Sequence, residues 1–335
     1  FMDKFKSDIK DAIDNNFPQT ESVQRKWFKY QSANIERLRD RSVSPLLQAR
    51  FDQGSTWNNM CPIDVGGPGG HALVGCVAVS MAQVMHYWSY PEYGYGSHSY
   101  YHPNYGYLSA DFGSTFYDFD NMQDNSATEA SQLLLFHAGV AVHMDYSPWG
   151  SGASVCWEGP SAQDALINHF NYIEDTACNT RINYNNEEWI ELIMNQLDNG
   201  WPIIYRGYGS GDGPGHAWNV DGYQEGGYLH CNWGWGGSSN GYFYFDELNG
   251  FIESQAVLIN IFPQGIAQPV ASEAPKSALS TRDPRYAHPI GRPYLDAESP
   301  PPSPHAAATT ASRSETPRAD IRLLLNITGT PSLGR

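Results

Sequence analysis

The strongest constraint on this fold is a helix-like run that has to be buried: Gly75-Cys76-Val77-Ala78-Val79-Ser80-Met81-Ala82-Gln83-Val84-Met85-His86-Tyr87-Trp88. Val79, Ala82 and Met85 recur at helical spacing, so this segment presents an apolar face to a core. Its first helical residue is a cysteine, preceded by glycine. A thiol at a helix N-terminus meets the positive end of the backbone dipole and N–H groups without intrahelical partners, and both favour the nucleophilic thiolate. Cys76 is therefore a candidate nucleophile; the plain alternative is a small buried hydrophobe.

A distant segment supplies a partner. Gly213-Pro214-Gly215-His216-Ala217-Trp218-Asn219-Val220-Asp221-Gly222-Tyr223 is followed by Tyr228-Leu229-His230-Cys231-Asn232-Trp233-Gly234-Trp235-Gly236-Gly237. His216 opens one strand-like run, Asn232-Trp233 closes the next, and short Gly-rich turns bring their ends together. A Cys on a helix facing a His on a sheet, with the His oriented by a third group, is the arrangement of a papain-like thiol hydrolase.

Further blocks occur in a fixed order: Val43-Ser44-Pro45-Leu46-Leu47, Gln53-Gly54, Asn58-Asn59-Met60-Cys61-Pro62, Gly75-Cys76-Val77-Ala78, Ala82-Gln83-Val84-Met85, Tyr90-Pro91, Gly215-His216-Ala217, Asp221-Gly222 and Asn232-Trp233-Gly234-Trp235-Gly236-Gly237. With these blocks the chain resembles the streptopain-type (C10) bacterial cysteine peptidases, over about residues 43 to 262. The resemblance implies an α+β, papain-like, two-lobed fold in which a helical lobe with the Cys helix packs against a twisted antiparallel β-sheet lobe. The coarse pattern agrees. Helix-like stretches at Glu129–Val142, Ser161–Phe170 and Asn186–Asp198 precede a strand at Pro202–Tyr205, and strands dominate to Phe262.

The resemblance also implies roles. Cys76 and His216 form a thiolate–imidazolium dyad, with the thiol held well below its ordinary value by the His216 cation and the helix dipole. The Gln53 side-chain amide and the Cys76 N–H face the oxyanion. Trp233 stacks over His216 and excludes water, and Asn232 is either part of the catalytic set or structural. The Asp145–Gly152 loop lines the pocket for the side chain two residues before the cut, with an apolar preference. There Gly150 and Ser151, with Gly215, offer backbone hydrogen bonds to an extended peptide. Trp149 departs from the family pattern in this loop.

Composition narrows the partners. A net charge of −16 argues against nucleic acid or an anionic membrane, and no apolar run reaches the roughly 20 residues that span a bilayer. The expected partners are protein or peptide substrates and the chain's own N-terminal pro-segment, with a monomeric enzyme and no cofactor. His98, His102, His137, His143, His169 and His230 show no zincin spacing, so no metal site is expected. The five cysteines leave four besides Cys76, either paired as disulfides or buried as thiols.

Residues 1–42 hold Lys4, Lys6, Lys10, Lys26 and Lys29, and no lysine follows until Lys276. By resemblance, 1–42 is the end of an inhibitory pro-segment and 43–263 the catalytic domain, with activation cleavage near Ser42-Val43; the alternative is an ordinary helical arm. The chain begins Phe1-Met2 without a signal peptide and is read as a fragment or processed form of a secreted bacterial protein. Residues 264–335, with Ser299-Pro300-Pro301-Pro302-Ser303-Pro304 and no Trp, Phe or Cys, are expected to be disordered. Two other functions fit the same residues: an amidase or transpeptidase of cell-wall peptides using the same dyad, and a binding protein on an inactive protease scaffold.

Overall fold

The computed structural model describes residues 41–265 apart from Glu158 and Asp212. The expected pro-segment, up to Asp40, and the expected disordered tail, from Ile266 onward, lie outside the described residues.

The apolar run forms α1 (Cys76–Trp88), in which every residue from Val77 to Met85 is buried. Gly75 caps it at φ 92, a conformation that favours glycine. A Cβ there would also fall 2.5 Å from Met144 Sδ. Two further helices start on side-chain caps: α2 (Glu129–Ala141) on the Thr128–Ser131 capping box, and α3 (Ala162–Asn168) on Ser161. With α1 they form a single apolar cluster. Among the described residues, no helix is long and apolar enough to cross a membrane.

Between α1 and α2 the chain makes a hairpin, β1 (Ser97–His102) and β2 (Gly106–Asp111), paired antiparallel from Ser97↔Asp111 to His102↔Gly106. Alternating exposure along β1 shows why it is a ribbon: His98, Tyr100 and His102 turn inward while Ser97, Ser99 and Tyr101 face out.

The large sheet contains β3 (Ala177–Thr180), β4 (Ile203–Gly209), β5 (Gly215–Gln224), β6 (Tyr228–Asn232), β7 (Gly241–Tyr244) and β8 (Phe251–Ile259), in the order β3-β8-β4-β5-β6-β7 and antiparallel throughout. Its side chains divide by strand alternation. Ile204, Ala217, Ala256 and Leu258 join the α1 cluster, whereas Ile203, Tyr205, Trp218, Val220, Val257 and Ile259 form a second one. That second face is covered by α4 (Asn186–Asp198), which buries Trp189, Ile190, Ile193 and Leu197 and starts on an Asn185–Glu188 capping box. The sheet is thus covered on both faces, and β5 is buried from His216 to Tyr223.

The segment before the first α-helix runs along the sheet. Val43 exchanges both backbone bonds with Tyr223 at 2.9 Å, and the Leu47 N–H donates to the buried Asp221 carboxylate at 2.9 Å. A Cβ on Gly222 would meet the Val43 carbonyl oxygen at 2.8 Å, so glycine is what permits this close approach. One disulfide, Cys156–Cys178, joins the loop before α3 to β3, while Cys61, Cys76 and Cys231 are free thiols.

Candidate active site

Cys76 opens α1, where the N–H groups of the first turn have no intrahelical partner. Three backbone N–H groups point at its sulfur, those of Ala217, Val77 and Cys76 itself. The Ala217 contact places the thiol against β5, one residue along the strand from His216. The side chain is partly exposed.

His216 is buried at the start of β5. Its Nε2 lies 3.0 Å from the Trp233 carbonyl oxygen. A carbonyl only accepts, so Nε2 carries the proton and the neutral ring keeps its lone pair on Nδ1. The rings around it are ranked by distance: Trp235 stacks at 4.9 Å and 28°, Phe251 lies at 5.2 Å, and the Trp218 and Trp233 rings are at 6.0 and 6.1 Å. The Trp233 ring is stacked over the imidazole at 21°, farther off than Trp235. Trp233 acts on His216 through its backbone carbonyl, and the indole nearest the imidazole belongs to Trp235.

The expectation of a depressed thiol is also corrected. Burial pushes the Cys76 thiol up, outweighing the three N–H groups that pull it down. Burial likewise takes His216 down to about 4, against the bond from Trp233 that holds it up. A lone charge on either group is disfavoured by desolvation, so charge separation here has to create both charges together.

Gln53 is placed by its backbone: its carbonyl accepts from Val74 N–H at 2.9 Å, two residues before the nucleophile. Its partly exposed side-chain amide makes no hydrogen bond among the described residues. The Gly-rich loop after β6 closes on the same segment, with Gly236 N–H donating to the Phe51 carbonyl at 3.0 Å. Gly234, at φ 68, allows the loop to lie on α1, because a Cβ there would be 2.8 Å from Val79 Cγ1.

Asn232 turns away from the imidazole. Its amide donates to the Ala49 carbonyl at 2.7 Å and its oxygen accepts from Gly234 N–H at 3.3 Å. It ties the Gln53 segment to the Trp-Gly loop and does not contact His216. In the neighbouring loop, Asp145 and Gly152 bridge through two backbone bonds. The buried Ser151 hydroxyl donates to the Leu73 carbonyl at 2.7 Å, anchoring the loop to the segment that leads to Cys76. Gly150 and Gly215 are exposed with accessible backbones, and Trp149 is 83% exposed.

A polar group unassigned from sequence joins all three elements. Gln83 and Asn219 are both fully buried. Phe51 N–H donates to Gln83 Oε1 at 3.2 Å, Gln83 Nε2 to Asn219 Oδ1 at 2.9 Å, and Asn219 Nδ2 to the Ser80 carbonyl at 3.2 Å. The signal was present as an amide inside an apolar helix and another inside an apolar strand. Only the fold shows that the two meet.

Comparison with known proteins agrees with this geometry. Residues 51–243 match the peptidase C10 family. The chain is 32% identical over 264 residues to the thiol protease/hemagglutinin PrtT of Porphyromonas gingivalis, covering 70% of this chain and 29% of that protein. It is 28% identical over 266 residues to streptopain of Streptococcus pyogenes, covering 69% of this chain and 65% of that protein. The match thus spans less than two thirds of the length of either relative. The structure is similar to that of active interpain A cysteine protease from Prevotella intermedia, with TM-score 0.61 and 35% identity over 68% of this chain and 97% of that one. It is also similar to a prointerpain A fragment from the same organism, with TM-score 0.59 and 30% identity over 76% and 87%.

Proposed function

The chain belongs to the peptidase C10 family, and from that premise we propose that it is a cysteine endopeptidase that hydrolyses protein substrates through Cys76 and His216. The observation that carries this reading is the tautomer lock. Trp233 O holds the proton on Nε2 of a neutral His216, leaving Nδ1 as the base beside a thiol that touches the next residue, Ala217.

The proton passes from Cys76 Sγ to His216 Nδ1 as the sulfur attacks the peptide carbonyl carbon, so thiolate and imidazolium form as a pair with no net charge change. The oxyanion takes hydrogen bonds from the Cys76 N–H and the Gln53 amide, whose donors are unspent. The imidazolium then gives its proton to the departing amine, and the C–N bond breaks to leave a thioester. Water loses a proton to Nδ1, attacks the thioester, and releases the acid and the thiol. Trp235 and Phe251 keep water from the ring, which strengthens the transient ion pair. Asn232, Gln83 and Asn219 position these groups, and the exposed backbones of Gly150 and Gly215 bind the extended peptide.

The reading extends to a secreted enzyme made as a zymogen. A disulfide such as Cys156–Cys178 fits an oxidising compartment, and a pro-form is known for the related interpain A. Residues 1–42 are then the end of the inhibitory segment. The test is hydrolysis of a denatured protein by the chain as given and by one starting at Val43, each beside its Cys76→Ala variant. Hydrolysis that rises on truncation and vanishes in the variant is expected; hydrolysis that survives Cys76→Ala contradicts the reading.

A further inference from the structure

One polar side chain next to the catalytic pair is left without a partner. Arg206 of β4 is in register with Ala217 of β5 on one side and Ala256 of β8 on the other. Residues in register on neighbouring strands share a face. Ala217 and Ala256 both pack into the α1 cluster, so Arg206 projects to the face that carries Cys76, with an alanine in register on each neighbouring strand. Ala217 is also the residue whose N–H reaches the Cys76 sulfur. Arg206 therefore stands one strand, roughly 5 Å between Cα atoms, from the nucleophile's neighbour.

The guanidinium lies between two rings, 5.8 Å from the Trp157 centroid and 5.9 Å from that of Tyr208. These rings are 53% and 40% exposed, so they form walls rather than core. The Tyr208 wall continues to the catalytic histidine: a Cβ on Gly215 would fall 2.8 Å from the Tyr208 ring. Arg206 Nε is buried with no hydrogen-bond partner, and among the described residues no carboxylate pairs with the side chain.

A buried donor with no partner is unfavourable in the free protein, and an anion that accepts from it relieves the cost. The planar guanidinium offers parallel N–H groups that match a carboxylate, and the flanking rings restrict its motion. We propose that Arg206, walled by Trp157 and Tyr208, is a specificity-determining residue that selects an Asp or Glu side chain of the bound peptide close to the scissile bond. The proposal rests on the peptidase reading.

The test uses the chain starting at Val43, with the chain as given in parallel, and pairs of fluorogenic peptides that differ only by Glu against Gln at one of the three positions before the cut. At one of these three positions kcat/KM should favour Glu by at least about tenfold, equivalent to about 1.4 kcal/mol. The ratio should fall to within about twofold in Arg206→Gln, persist in part in Arg206→Lys, and invert toward Lys-containing peptides in Arg206→Glu. Unchanged thermal midpoints would show that these variants fold. Equal cleavage of the Glu and Gln peptides, or a Glu preference that survives Arg206→Gln, overturns the subsite. Labelling of Cys76 by an epoxysuccinyl thiol reagent separates the two levels. A labelled Cys76 without Glu preference sinks the subsite alone, whereas a thiol that takes no reagent sinks the peptidase reading and the subsite with it.

Discussion

His216 and Arg206 stand on adjacent strands, one residue apart in register, and both lie against aromatic rings, yet the protein treats them in opposite ways. His216 has its Nε2 fixed by a backbone carbonyl, and burial holds its ring neutral. Arg206 keeps its charge between half-open rings with a buried donor bonded to nothing. The contrast separates two tasks of a peptide-hydrolysing cleft. Groups that move protons need their geometry fixed before substrate arrives. Groups that recognise substrate need hydrogen-bonding capacity left unspent until it arrives.

Each expected outcome below breaks or sharpens that division, beginning with the fixed side. Cys76→Ala should lower hydrolysis by on the order of 10⁴-fold or more, with the thermal midpoint shifted by only a few degrees because a single small atom is lost. Unfolding of this variant would mean that the cysteine is part of the scaffold rather than the reacting group.

Gln53→Ala should lower kcat by about 100-fold, the usual consequence of losing an oxyanion donor, while Cys76 alkylation keeps its wild-type rate. A parallel loss of alkylation would move Gln53 from the oxyanion to the support of the thiol.

Gln83→Leu and Asn219→Leu each orphan a buried partner, so each should cost about 1–3 kcal/mol in urea unfolding. Each should also lower kcat by about tenfold with KM little changed, since the amides join the Gln53 segment, α1 and β5. Pairing the two substitutions should recover much of the stability but not kcat. Recovery of both would make the network a matter of folding alone.

Acid should act through buried imidazoles. Burial takes both His216 and His137 to about 4, below the unfolded value of about 6.5. The unfolded chain therefore binds more protons between these limits, and stability, fully present above pH 6.5, should decline as pH falls toward 4. The slope is at most about 1.4 kcal/mol per pH unit for each group. Thermal midpoints at pH 7, 5.5 and 4 test this; His137→Phe should flatten the decline, and an unchanged slope would remove His137 from it. The smallest effect is expected at Trp149, which is 83% exposed. Trp149→Ala should stay within about 0.5 kcal/mol of wild type, and a larger loss would mean that the indole packs against the loop.

Parts of this division were legible in the sequence. The amphipathic and capped helices announced themselves, and α4 has the bounds that its pattern gives, Asn186–Asp198. Cys76 and His216 could be proposed from sequence because a nucleophile and a base each need a particular side chain in a particular local setting. The Trp233 carbonyl bond to His216 and the nearer Trp235 ring went unread beside the Trp233 stacking, because a backbone carbonyl has no residue-type signature and two tryptophans flank Gly234. The hairpin from Ser97 to Asp111 was masked by its aromatic density, since inward His and Tyr alternate with outward Ser and Tyr rather than apolar with polar. The disulfide and the Gln83–Asn219 contact join distant segments, which single-sequence patterns do not encode. Arg206 has no sequence signature, because its place between Ala217 and Ala256 is set by strand register.

The most direct test of the central claim is the rate of iodoacetamide alkylation of each free cysteine against pH, followed by peptide mass spectrometry in the chain starting at Val43 and in its His216→Ala variant. Cys61 and Cys231 serve as internal controls, since burial pushes the first up to about 12 and the second well above its ordinary value. Fast alkylation of Cys76 alone at neutral pH, falling as His216 is protonated near pH 4 and largely lost in His216→Ala, is the predicted result. Alkylation of Cys76 at the rate of the two buried thiols, or at the same rate with and without His216, would contradict the pairing on which this account rests.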